Sequence, residues 1–158
     1  MEFQDLMKGF GEAFGIADFK PGDDGSWNVE IDGMPVSFSE LADPPRMRMR
    51  APVCELPAKG RGALLRVMLE SMFMGRATGG AAFALNEGSD SVILHRIDSL
   101  QTLGLEAFKE LLERFVNILA QWREISARFE PVAGELEKAE QAAVEVSRQM
   151  KADGFMRV

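Results

Sequence analysis

Residues 64–122 constrain the fold most, because an apolar helix, a glycine turn, two short strands and a long amphipathic helix follow one another there. Between Gly62 and Met74, the residues Leu64, Leu65, Met68, Leu69, Met72 and Phe73 cover about half of a helix circumference, wider than the ~100° stripe of an ordinary surface helix. Val67 and Met74 fall on the far side, and only Arg66, Glu70 and Ser71 are polar. Such a helix is expected to meet apolar surface on two sides, its own sheet and a second partner, with another copy of the chain as the natural candidate. Gly75 reads as a left-handed helix stop, and Ala77-Thr78-Gly79-Gly80 turns the chain into a strand over residues 81–86. A second strand over 91–97 places Ile93, His95 and Ile97 on one face and Val92 and Leu94 on the other, so both faces are expected to be partly covered. The longest helix is expected over 105–128, where Phe108, Leu112, Phe115, Leu119 and Trp122 recur every three or four residues.

The flanks supply the rest of a sheet. Phe3, Leu6, Met7, Phe10 and Phe14 form a helical stripe that Gly15 can end. Asp32-Gly33 between two alternating runs predicts a two-residue hairpin that pairs Ile31 with Met34, Val29 with Val36 and Trp27 with Phe38, all six on one face. Pro35 has no N–H to donate, so the next strand is not expected to pair with the hairpin at that point. Arg46-Met47-Arg48-Met49-Arg50-Ala51 alternates strictly, which predicts a strand with methionines inward and arginines outward. Those arginines are read as a solvated basic face, with a phosphate or acidic-partner site as the other reading. Pro52 and Pro57 are expected to close the sheet before the apolar helix. After Glu130-Pro131, the heptad-like spacing of Val132, Leu136, Ala139, Ala143, Val146 and Met150 predicts a last helix.

Chemistry-bearing patterns are scarce. A Cys–His pair would have to be Cys54 with His95, each in a predicted strand. No Cys/His/carboxylate spacing resembles a zinc site, and the Gly75–Gly80 loop has neither the lysine nor the preceding strand of a phosphate loop. The chain is therefore expected not to be an enzyme and to need no cofactor or metal. A single cysteine forms no disulfide within the chain, and neither a membrane span nor a secretory signal is expected, which together favour a reducing cytosol. The net charge of −7 argues against general nucleic-acid binding. At 158 residues, folding can bury ~70% of the surface of the unfolded chain, enough for one domain without staples.

The run Leu64-Leu65-Arg66-Val67-Met68-Leu69-Glu70-Ser71-Met72-Phe73-Met74-Gly75, followed by Ala77-Thr78-Gly79-Gly80-Ala81 and a strand pair, resembles the central block of the CesT-like (Tir chaperone) family of type III secretion chaperones. Residues 108–123, closing on Phe115-Val116-Asn117-Ile118-Leu119-Ala120-Gln121-Trp122-Arg123, are similar to that family's last helix. The Asp32-Gly33 hairpin falls where its first two strands stand. Met72 occupies a position where the family often carries asparagine, and the helix after Glu130 exceeds the usual family length.

The resemblance implies an α+β domain over residues 1–129, ordered helix, three antiparallel strands, helix, two strands, long helix, with residues 130–158 as an appended C-terminal helix. It also implies a homodimeric, non-enzymatic, cytoplasmic chaperone of bacteria. Such a protein binds the N-terminal region of a secreted effector in extended form and keeps it export-competent, with secretion-apparatus components as further partners and no nucleic acid or membrane. Dimer contacts are implied at Leu64, Met68, Met72 and Phe83, and effector contacts at Phe3, Leu6, Phe10, Val36, Met47 and Met49. Two apolar helical surfaces and Met-rich strands suit a peptide-wrapping module. Met49 stands out, because Pro44-Pro45 and Pro52 flank its strand and its pairing is expected to be incomplete. Two other readings stay open: a regulatory or scaffold protein of the same fold that binds a folded partner, and a small enzyme or ligand-binding domain.

Overall fold

The computed structural model describes residues 2–129. The chain runs through α1 (Phe3–Ala13), β1 (Trp27–Ile31), β2 (Met34–Leu41), β3 (Arg46–Glu55), α2 (Arg61–Ser71), a 3₁₀ turn (Phe73–Gly75), β4 (Ala82–Leu85), β5 (Ser91–Ser99) and α3 (Leu105–Ala127). This is the α+β order expected from the sequence; the helix expected after Glu130 lies outside the described residues. The five strands form one antiparallel sheet in the order β1-β2-β3-β5-β4, so β1 and β4 are its edges.

The β1–β2 hairpin has the expected register, with Ile31 opposite Met34, Val29 opposite Val36 and Trp27 opposite Phe38. Asp32 (φ 50°) and Gly33 (φ 73°) both take left-handed backbone, as a two-residue turn of type I′ requires. β2 meets β3 only from Ser37 onward, so Pro35 sits where no β3 neighbour asks for its missing N–H.

β3 departs from expectation. It does not end at Pro52 but runs ten residues to Glu55, absorbing the irregularity in a bulge between Pro52 and Cys54. Nor is its pairing incomplete around Met49, which lies opposite Phe38 of β2 and Arg96 of β5. β3 is the central strand, and Pro52 is tolerated because β2 has already left its side.

Alternation divides the sheet into two unlike faces. One carries Trp27, Val36, Phe38, Met47, Met49, Ala51 and Leu94, all buried, and receives the apolar sides of the helices. Phe10 of α1, Phe38 of β2 and Phe108 of α3 pack edge to face, with ring centroids 5.4 to 6.0 Å apart. α3 adds Leu112, Phe115, Leu119 and Trp122 from the predicted stripe. On the other face no strand residue is fully buried.

Candidate functional site

Among the described residues the catalytic alternative finds no assembled site. Cys54 packs against the core, and burial pushes its thiol up, with the hydroxyl of Ser126 opposing that shift. A raised thiol is the reverse of an activated nucleophile. His95 lies on the opposite face of the sheet, between Arg50 of β3 and Ala82 of β4, so the two residues are not brought together. Among the described residues no group of three or more His, Cys, Asp or Glu could hold a metal ion.

The apolar surfaces give the site its content. The six positions implied for effector contact are buried in the core: Leu6, Met47 and Met49 have no exposure, and Phe3, Phe10 and Val36 have 3% or less. Met49, singled out for incomplete pairing as an effector contact, instead lies on the central strand, paired on both sides, with its side chain inward as the alternation predicts. Of the dimer positions, Leu64 and Met68 are also turned into the core at 1% exposure. Met72 and Phe83 are half-buried and joined to each other, the Phe83 N–H donating to Met72 Sδ at 3.1 Å.

What α2 leaves outside is another set. Val67 (40%), Leu69 (62%), Phe73 (65%) and Met74 (79%) are exposed on the helix and its 3₁₀ extension, and Leu85 (48%) at the end of β4. Leu69 and Phe73 are four residues apart, the spacing that brings side chains together on one helical face. The patch is held in place from below. Met74 (φ 56°) and Gly75 (φ 67°) turn the chain, the Trp122 indole N–H donates to the Ala77 carbonyl at 3.0 Å, and the Arg96 guanidinium donates to the Gly79 carbonyl. Asp98 grips that guanidinium with bonds of 2.8 Å and raises its already high pKa. Phe83 packs edge to face on Trp122 at 4.9 Å. No motif in the sequence marks the Arg96–Asp98 anchor. Its signal was strand parity, which puts both residues on the face of Val92 and Leu94.

A smaller apolar surface ends α1. Phe14 is 58% exposed, Ile16 and Phe19 are half-buried, and a shallow cavity of about 270 Å³ opens between Ile16, Phe19 and Gly11.

Among the described residues, the helices lie on one face of the sheet and the outward side of α2 leaves an apolar surface uncovered. Residues 5–123 match the model of the Tir chaperone protein (CesT) family, and the chain belongs to that family of type III secretion chaperones. No curated protein sequence matches the chain significantly. Among solved structures, the fold is similar to a chain of the ExsC-ExsE complex (TM-score 0.68, 19% identity, covering 80% of this chain and 97% of that one). It is also similar to a chain of the HopA1-SchA chaperone-effector complex (TM-score 0.63, 17% identity, 77% and 93% covered). A third likeness is to a chain in the structure of the Yersinia pestis type III secretion chaperone SycH with a stable fragment of YscM2 (TM-score 0.60, 14% identity, 77% and 99% covered).

Proposed function

We propose that the chain acts as a homodimeric, non-enzymatic chaperone of the bacterial cytosol that holds the N-terminal region of a secreted effector in extended form and keeps it competent for export. The observation that carries this reading is apolar surface left uncovered at two places, α2 with its 3₁₀ extension and Phe14 at the end of α1, in a chain of a chaperone family. HopA1-SchA is by its description a chaperone-effector complex, and SycH was solved with a fragment of another protein, which supports a polypeptide client here. Among the described residues no helix is long and apolar enough to cross a membrane. Residues 1–129 would form the chaperone domain and 130–158 an extension of it.

Burial redistributes the roles proposed for single residues. The surface for a second copy is the outward side of α2, Val67, Leu69, Phe73 and Met74, with Met72 and Phe83 on its inner margin. The client surface is the accessible part of the first-helix region, Phe14 and Ile16, with the free edge of β1 available for strand addition. Phe3, Leu6, Phe10, Val36, Met47 and Met49 support that surface from the core. Purification of the tagged chain from its native cells, followed by limited proteolysis and identification of what stays bound, tests the reading. A protected segment from the N-terminal region of a secreted protein is expected. Recovery of an intact, folded partner with no protected segment would favour the scaffold reading instead.

A further inference from the structure

The face of the sheet that no helix buries is basic in an acidic chain. Arg46, Arg48 and Arg50 of β3 point to it, and their neighbours across the ladders are Leu41 and Ser99, Ser39 and Ile97, and Ser37 and His95. None of those neighbours is a carboxylate; Glu30 on edge strand β1 and Glu55 at the end of β3 lie at the margin of this face, and Asp24, in the loop before β1, is the carboxylate whose charge reaches Arg50, while its own oxygen accepts from the N–H and the hydroxyl of Ser26. Among the described residues none of the three arginines is in an ion pair. Arg48 Nε donates to Ser39 Oγ at 3.1 Å, and Arg46 Nε is buried without a partner.

A cleft opens beside this row. The β2–β3 ladder stops at Ser37 opposite Arg50, while β1–β2 runs on to Ile31 opposite Met34 and β3–β5 to Glu55 opposite Ser91. The two parts of the sheet separate around a cavity of about 330 Å³, walled by Pro35 and Pro52 and floored in part by Ile93. Neither proline has an N–H with which to close the gap by pairing. Arg50 stands at its mouth, and Ser37 Oγ lies buried in it without a partner.

We infer that this face binds an acidic polypeptide segment in extended form, one carboxylate entering the cleft to meet Arg50 and the Ser37 hydroxyl, and the next reaching Arg48. Alternate side chains of an extended chain stand ~6.6–6.8 Å apart, the same repeat as the arginines of β3, so carboxylates two residues apart match the row. Charge-assisted bonds from guanidinium to carboxylate supply the attraction. A nucleic acid would extend beyond the patch and meet the negative field of a chain of net charge −7, whereas a short segment feels chiefly the arginines within a Debye length of ~8–10 Å. The inference does not rest on the chaperone reading, because it concerns the other face of the sheet.

The test is fluorescence anisotropy of the full chain with a labelled synthetic peptide of alternating Glu and Thr, against a peptide of the same composition with all Glu residues in one block. The alternating peptide is expected to bind at least ~10-fold tighter, and Arg50→Glu to remove that advantage while leaving the melting temperature in place. Should Arg50→Glu fail to fold, Arg48→Ser carries the same comparison. Equal affinity for the two peptides, binding indifferent to the arginine substitution in a folded variant, or displacement by an oligo-dT strand at equal charge would overturn the inference.

Discussion

α1 and α2 are both eleven residues long and both look apolar enough to serve a partner, yet the fold uses them in opposite ways. α1 places Phe3, Leu6, Met7 and Phe10 wholly against the sheet and α3 and leaves only Phe14, at its end, outside. α2 turns Ala63, Leu64 and Met68 inward and leaves Val67 and Leu69 in water, with Phe73 and Met74 just beyond. An apolar helix is thus spare only to the extent that its own domain has no facing surface left. α1 sits over the wide part of the sheet, where Phe38 and Phe108 meet it, whereas α2 carries more apolar side chains than its three inward positions can use.

The largest effect expected is at Met49, on the consumed side of that comparison. Met49→Glu places an unpaired carboxylate in the centre of the core, at a cost of several kcal/mol against a whole-domain stability of ~5–15 kcal/mol. Loss of soluble, folded protein by circular dichroism is expected; a folded variant would restore Met49 as a surface residue. Next, Phe10→Ala should lower the unfolding free energy by about 3–5 kcal/mol in urea titrations, since the cavity lies among the rings of Phe14, Phe19, Phe38 and Phe108. A loss below ~1 kcal/mol would mean that α1 is not consumed by the fold.

Gly79→Ala tests how firmly the α2 surface is held. An added Cβ would come within 2.6 Å of Ile118 Cδ1, and Gly79 has φ of +56°, a region that costs other residues roughly 1–2 kcal/mol. A loss of about 1–3 kcal/mol is expected; an unchanged midpoint would show the turn free to move. Smallest on stability, Phe14→Ser should lower the unfolding free energy by no more than about 1 kcal/mol, the worth of its tilted ring contact with Phe10 at 4.8 Å. It should nevertheless weaken capture of the client about tenfold. An unchanged client affinity would remove Phe14 from the proposed surface.

The parts of this molecule legible in the sequence are those fixed by local rules. Asp32-Gly33 pins the hairpin register because a type I′ turn leaves no other pairing, and the period of two in Arg46–Ala51 sorts methionines from arginines wherever that strand lies. Periodicity says which side chains share a face, not what covers it. Met49 was expected at an incomplete strand because Pro44-Pro45 and Pro52 surround it, but Pro52 is harmless where β2 has already departed. Likewise Leu64 and Leu69 belong to one apolar run, and only the packing of α2 separates the buried one from the exposed one. The Arg50–Ser37 cleft depends on where two ladders part company, a property of no single segment.

The most direct measurement is the solution mass of the full chain by light scattering at micromolar concentration, for the natural sequence and for Leu69→Asp with Phe73→Asp. Both substitutions lie on exposed positions, so the fold should persist while two carboxylates enter any apolar contact between copies. The account predicts twice the chain mass for the natural protein and a single chain mass for the variant, with melting of secondary structure still cooperative. A natural protein that runs as a single chain, or a variant that stays at twice the chain mass, would contradict it.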